Sequence, residues 1–256
     1  MERYYIDRVR LREDPATGSY LRTLPPVCHL MRERELSFAQ EVTFLVGENG
    51  AGKSTLLEGI AVACGFNPEG GTRNFNFSTR DSHSELHGLL TILRSRYPRD
   101  GFFLRAESFY NVATEIDELD RIPSASSKIS ASYGGGSLHE LSHGESFLSL
   151  LQNRFGGNGL YLLDEPEAAL SPARLFALFS AIARLTRQDS QFIIATHSPI
   201  LMAFPGARIY QMSGEGIEEV SLRQTDHYRL TKYFLENPEQ MACRLAAPQD
   251  DQADTE

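Results

Sequence analysis

The chain has little of what would mark several large functional classes. It holds three cysteines in 256 residues, Cys28, Cys64 and Cys243, far apart and without a C-x-x-C pair. That argues against a zinc site and a disulfide framework and fits a reducing compartment. No apolar run approaches the roughly 18 residues a membrane helix needs. The nearest, Phe192 to Phe204, is broken by Thr196, His197, Ser198 and Pro199. The opening residues, MERYYIDRVR, lack the apolar centre of a secretory signal. We therefore expect a cytoplasmic protein with no direct membrane insertion, one that reaches a membrane only through a partner. Lysine is scarce as well, at Lys53, Lys128 and Lys232 among 25 basic residues. A compositional bias explains this more simply than arginine chosen for phosphate geometry. Acidic residues number 34, for a net charge of −9. Nucleic-acid binding is possible through a local arginine patch but is not indicated by that charge.

What is present is a chain with 41% hydrophobic and 23% charged residues, enough to bury a sizeable core. Glu41–Val46 is a short β-rich run. It leads into GENGAGKST and then into a stretch whose Leu56, Leu57, Ile60, Ala61 and Ala63 share a helical face, with Gly65 placed to end the helix. Phe102–Leu104, Leu160–Leu163 and Phe192–Ala195 are compact apolar runs of the kind buried in a parallel sheet. Between the last two, Ser171 and Pro172 open a helix carrying Leu175, Leu178, Phe179, Ile182 and Leu185. Strand, helix, strand in this order predicts an α/β fold with a mainly parallel sheet core.

The segment of about 66–152 is less regular and is expected to form an inserted helical lobe. It includes a predicted helix over Ser84–Arg96 and a Ser/Gly-rich loop over Pro123–Ser137. ARIYQM and GIEEVSL around SGE predict a hairpin, with helices following near Tyr228–Leu235 and Glu239–Leu245. Residues 1–245 are expected to form a single domain, and 246–256 an acidic disordered tail.

Four motifs carry chemistry. Gly47-Glu48-Asn49-Gly50-Ala51-Gly52-Lys53-Ser54 fits G-x-x-x-x-G-K-[ST]. An ordinary Gly-rich turn is the bland alternative, and the strand before it and helix after it weigh against that. Glycines let successive N–H groups converge on one phosphate, and the helix start adds positive potential. Lys53 places a point charge at the β and γ phosphates, and the Ser54 hydroxyl is a hard ligand for Mg²⁺. Leu160–Glu165 is an apolar strand ending in two acids. Alone it would read as a solvated strand end. Downstream of a P-loop, Asp164 is expected at the Mg²⁺ and Glu165 as the group that orients or deprotonates water.

Leu141-Ser142-His143-Gly144-Glu145 precedes the apolar Phe147, Leu148, Leu151 and Phe155. It fits a phosphate-binding helix start. It also fits a plain capping box between Ser142 and Glu145, and the two are compatible. Finally, His197 follows the apolar strand Phe192–Ala195. There it either contacts a γ-phosphate or attacking water, or is a satisfied structural histidine.

Together the motifs resemble the ATP-binding-cassette class of P-loop ATPases over roughly residues 36–200. GENGAGKST resembles its Walker A motif, LSHGE its LSGGQ signature, LYLLDE its Walker B, Glu167–Pro172 its D-loop and His197 its switch histidine. The resemblance implies ATP and Mg²⁺ as cofactors. ATP would be bound by Gly47, Asn49, Gly50, Ala51, Gly52, Lys53, Ser54 and Thr55. Ser54 and Asp164 would ligate the metal, with Glu107 standing in for the Q-loop glutamine or being a strand-end surface carboxylate. Glu165 and His197 would be catalytic. Two copies would pack head to tail as a homodimer formed on ATP binding, each offering Ser142, His143, Gly144 and Glu145 in trans. No adenine-stacking aromatic is assigned beyond Tyr20 as a candidate.

Several features depart from the transporter pattern. His143, Gly144 and Glu145 stand where transporter signatures read Gly-Gly-Gln, and the following helix, SFLSLLQNRF, is neither basic nor Gln-rich. DEPEAALSP is more similar to the compact SMC-like and OLD-like ATPases of DNA repair and phage defence, and the chain as a whole resembles small stand-alone bacterial ATPases of the AAA family. Lys53 and Ser142 are too close in sequence for a long coiled-coil arm. The expected function is ATP hydrolysis in a DNA-linked or defence context, with a partner protein encoded nearby. The alternatives are a transporter's nucleotide-binding subunit and a low-turnover ATP sensor.

Overall fold

A computed structural model of the chain describes residues 4–73, 84–105 and 143–246. Two sheets organise it. The larger has the order β5-β6-β7-β3-β8-β9, formed by Asp100–Leu104 (β5), Gly159–Asp164 (β6), Gln191–Ala195 (β7), Val42–Gly47 (β3), Arg208–Ser213 (β8) and Gly216–Glu219 (β9). All neighbours in it are parallel except the β8–β9 hairpin. The α/β expectation with a mainly parallel core holds. The smaller sheet is antiparallel, in the order β2-β1-β4, from Arg8–Leu11 (β1), Glu35–Ser37 (β2) and Leu90–Leu93 (β4).

The central strands are covered on both faces, and their side chains divide with period two. Val42, Phe44, Val46, Tyr161, Leu163, Phe192 and Ile194 join one apolar cluster. Leu45, Leu160, Leu162, Ile193 and Ala195 join the other. The first cluster is completed by helices His143–Asn153 and Pro172–Thr186, through Phe147, Leu150, Leu151, Leu175, Leu178, Ile182 and Leu185. The second is completed by helices Pro25–Glu33 (α1) and Lys53–Ala63 (α2), through Val27, Leu30, Leu56, Leu57, Ile60 and Ala61. In chain order the remaining helices are Leu86–Leu89 (α3), His143–Asn153 (α4), Pro172–Thr186 (α5), Pro199–Met202 (α6), Asp226–Glu236 (α7) and Pro238–Ala246 (α8). Helix α2 ends as expected at Gly65, with φ 87°. Gly65 N donates to Val62 O at 2.9 Å and Phe66 N to Ala61 O at 3.0 Å, which together satisfy two terminal carbonyls.

One expectation is corrected. Ser84–Arg96 is not one helix: a single turn, α3, gives way at Leu90 (φ −92°, ψ 143°) to strand β4. The helical spacing of its leucines was real, but β1 offers Arg8–Leu11 as an edge, and pairing there buries Leu90. Tertiary pairing outweighs local propensity, which Gly88 and the β-branched Thr91 and Ile92 had already weakened. Both N-terminal strands and α1 lie before the region the motifs cover and went unassigned from sequence. The loop Pro123–Ser137 and residues 247–256 of the expected tail 246–256 lie outside the described residues, while Ala246 is the last residue of α8. Among the described residues no helix is long and apolar enough to cross a membrane.

Gln191 joins the two sheets. Its Oε1 accepts from Tyr5 N and Ile6 N, both at 2.9 Å. Its Nε2 donates to Ile6 O at 2.9 Å and Phe38 O at 2.7 Å. One buried amide at the start of β7 thereby fixes both the lead into β1 and the exit from β2.

Candidate functional site

The site is built where β3, β6 and β7 end side by side. Strand β3 leads directly into the loop 47–52 and then α2. Gly47 (φ 147°), Gly50 (φ 82°) and Gly52 (φ 85°) take backbone conformations that L side chains rarely adopt. At Gly47 a Cβ would lie 2.4 Å from the Met212 carbonyl oxygen of β8, so the first glycine is also demanded by the strand beside it. At Gly52 a Cβ would press on the Pro26 ring of α1 at 3.0 Å.

Lys53, the first residue of α2, is buried and curls back over the loop. Its Nζ donates to Gly47 O at 2.8 Å and to Glu48 O at 3.0 Å. Burial lowers its pKa, and the carboxylates of Glu165, Asp164 and Glu167 oppose that. The next residue, Ser54, donates through Oγ to Asp164 Oδ1 at 2.9 Å. Asp164 ends β6 and is 8% exposed. Its pKa is pushed up to about 6, by burial first and then by Glu165, against the Ser54 hydrogen bond and the charges of Arg105 and Lys53.

Glu165 leaves the strand in the left-handed region (φ 45°, ψ 52°), with its N–H donated to Ala195 O at 2.9 Å. Pro166 follows, disfavouring the right-handed helical region before it. This turn brings the carboxylate to the end of β7, where His197 Nε2 meets Glu165 Oε1 at 3.2 Å. The His197 N–H is donated to Glu167 Oε1 at 2.5 Å, so the 3-10 turn Pro166–Ala169 and the end of β7 are tied together. His197 Nδ1 lies 2.8 Å from His227 Nε2. Glu48, Asn49, Glu165, His197 and His227 line an open cleft of about 530 Å³.

The structure thus gathers Gly47, Asn49, Gly50, Ala51, Gly52, Lys53, Ser54 and Thr55 in one loop and helix start. It sets Asp164, Glu165 and His197 beside them. Gly144 is buried in α4, and Glu145 pairs with Arg174 of α5 at 3.2 Å. Helix α4 begins at His143, whose side chain is not described, and Ser142 and Glu107 lie outside the described residues. Tyr20 is exposed, and its hydroxyl donates to Ser84 Oγ at 3.2 Å. His227 was missed by sequence reading. It lies beyond the last motif, just ahead of the helix expected near Tyr228–Leu235, and its proximity to His197 is purely tertiary.

The donor set suits a nucleotide and a hard cation. A cradle closed to Cβ atoms, a buried ammonium, and a serine hydroxyl on a buried carboxylate match a phosphate chain with Mg²⁺.

Two family models match the chain. One, described as "AAA domain, putative AbiEii toxin, Type IV TA system", covers residues 139–203; the other, described as "AAA domain", covers residues 26–116. The ribose import ATP-binding protein RbsA of Bacillus cereus is 28% identical over 173 residues, 61% of this chain. The chain spans about a third of that relative's length, 34%. Among solved structures, the ADP conformation of MJ1267, an ATP-binding cassette of an ABC transporter, is 18% identical with a TM-score of 0.48, over 95% of this chain and all of that one. The SMC head domain from Thermotoga maritima is 16% identical with a TM-score of 0.40, over 85% and 99% of the two chains. The P-loop, the Asp-Glu strand end and the following histidine thus come in this order and are brought to one place, in a chain that is similar to AAA domains over residues 26–116 and 139–203 and to an ATP-binding protein over 173 residues.

Proposed function

We propose that the chain, with residues 1–245 as one ATPase domain, binds MgATP and hydrolyses it as a nucleotide-dependent head-to-tail homodimer in the cytoplasm. The reading rests above all on Glu165 and His197, 3.2 Å apart at the ends of adjacent strands and beside the Ser54–Asp164 pair. The loop N–H groups from Gly47 to Thr55 bind the phosphates. Lys53 exchanges its loop carbonyls for β and γ oxygens. Ser54 and Asp164 hold Mg²⁺, which when bound neutralises charge developing on the transferred phosphoryl group. Glu165 orients and deprotonates the water, and His197 fixes that carboxylate through Nε2. The partner's Ser142, His143, Gly144 and Glu145 close the site over the γ-phosphate.

The substitution that separates binding from chemistry is Glu165→Gln. ATP should still bind while turnover falls roughly 10²–10⁴-fold, the scale of a lost general base. The trapped nucleotide should hold a dimer visible by light scattering. Unchanged turnover would transfer the water to another residue.

A DNA-linked or defence context is supported by the DEPEAALSP segment and by the toxin–antitoxin description of the family matched over 139–203. A transporter subunit is the second reading, favoured by the Bacillus cereus relative. Recovery of the protein in membranes with a permease partner would select it.

A further inference from the structure

Two titratable side chains of the cleft, Glu48 and His227, are not used by the mechanism above, and His227 is the one that touches His197. His227 is the second residue of α7, and the start of that helix is fixed from several sides. Buried Thr225 donates Oγ1 to Leu222 O at 2.7 Å and accepts from Tyr228 N at 3.3 Å. Asp226 accepts from Gln211 of β8 at 2.7 Å. The ring that follows meets His197 edge-on, centroids 4.8 Å apart at 64°. His197 is then held at three points: its backbone N–H by Glu167, Nε2 by Glu165 and Nδ1 by His227.

The proton arrangement follows from what each atom can do. An ionised carboxylate only accepts, so the nitrogen facing Glu165 must carry the hydrogen. A neutral His197 then has a lone pair at Nδ1, and His227 must donate to it from Nε2. If His197 becomes cationic, the last bond reverses and His227 accepts. Either way His227 matches, and an apolar residue there would not. Burial, then the charges of His197 and Lys53, hold the His227 pKa below its ordinary value against Asp226 and Glu48, which favours the neutral ring.

We propose that His227 is a positioning residue: it locks the His197 imidazole with Nε2–H toward Glu165, and so sets the orientation of the carboxylate that handles the water. This rests on the reading of Glu165 and His197 given above. Orientation of a functional histidine through its second nitrogen is a recurrent device.

The test compares His227→Leu with His227→Gln, whose amide N–H can still donate to Nδ1. In nucleotide-free, ¹⁵N-histidine-labelled protein, wild-type His197 should show a protonated Nε2 and a hydrogen-bonded, unprotonated Nδ1. The leucine variant should lose the hydrogen-bonded Nδ1 signal, and the glutamine variant should keep it. In the ATPase assay the leucine variant should lose about 10-fold in kcat, the lower end of what such partners contribute, with KM for ATP unchanged. The glutamine variant should recover most of the loss. Unchanged His197 signals in the leucine variant, or equal kcat loss in both variants, would overturn the proposal. A wild type that binds ATP without turnover would instead sink the hydrolysis reading, and the nitrogen signals alone would then decide for or against His227.

Discussion

Ser54 and Asp164 stand 110 residues apart in the chain and meet through one hydrogen bond of 2.9 Å. The bond closes the P-loop helix onto the end of β6. It leaves a carboxylate that is ionised at neutral pH only against the cost of burial.

That cost is measurable. Asp164→Asn keeps an acceptor for Ser54 and removes the buried charge. The folded pKa, about 6, lies above the unfolded value, so the folded state binds the extra proton between the two. Wild-type stability therefore falls as pH rises through that window and levels off above it. Without nucleotide, the variant should be more stable at pH 7.5 by about 1–3 kcal/mol, and the gain should shrink at pH 5. Urea melts at the two pH values check this. Stabilisation by MgATP should be lost in the same variant.

Lys53→Ala removes the one side-chain cation of the loop. Tight ATP binding should disappear while the fold persists. Titration of a fluorescent ATP analogue into both proteins, with circular dichroism alongside, is the measurement. Equal affinities would remove the loop from the site.

Ser142 is tested by mixing. If it only caps α4, Ser142→Arg should cost about 1 kcal/mol, and activity should track unfolding. If it faces a partner's ATP, the variant should fold and bind nucleotide yet neither dimerise nor hydrolyse. A heterodimer of Ser142→Arg and Lys53→Ala chains has one doubly damaged site and one intact site. Each variant alone should be inactive, and the mixture should regain activity or at least ATP-dependent dimers. A mixture with neither argues against a shared site.

Gln191→Leu strips Tyr5 N, Ile6 N, Ile6 O and Phe38 O of the bonds that Gln191 supplies. Unsatisfied buried amides are costly, so we expect a loss of about 3–5 kcal/mol, read as a lower urea midpoint with ATP affinity per folded molecule unchanged.

The central sheet was legible because its strands are short, apolar and bounded by motifs with their own spacing. The P-loop and the Asp-Glu strand end could be placed for the same reason. Periodicity failed where a strand pairs with a distant edge: β4 looked helical until β1 was beside it. It was silent on β1 and β2, strands of four and three residues that alternate but are too short for the alternation to stand out. His227 could not have been found, since nothing within DHYRL distinguishes it from a surface histidine. Its position depends on the way the β8–β9 hairpin returns α7 to the end of β7. Glu165's left-handed turn was hinted at only by Pro166.

The Gln191 clamp also has a consequence for synthesis. Tyr5 and its partner are 186 residues apart. At roughly 5–20 residues per second, a ribosome needs on the order of 10–40 seconds to bridge that gap. Until β7 emerges, the smaller sheet can pair internally but lacks the amide that ties it to the larger one, and β3 lacks its neighbours β7 and β8, so the nascent chain carries an apolar strand with unpaired edges. The joining of the two sheets is therefore a late event, and the burden of keeping the chain unaggregated until then falls on whatever attends it at the ribosome.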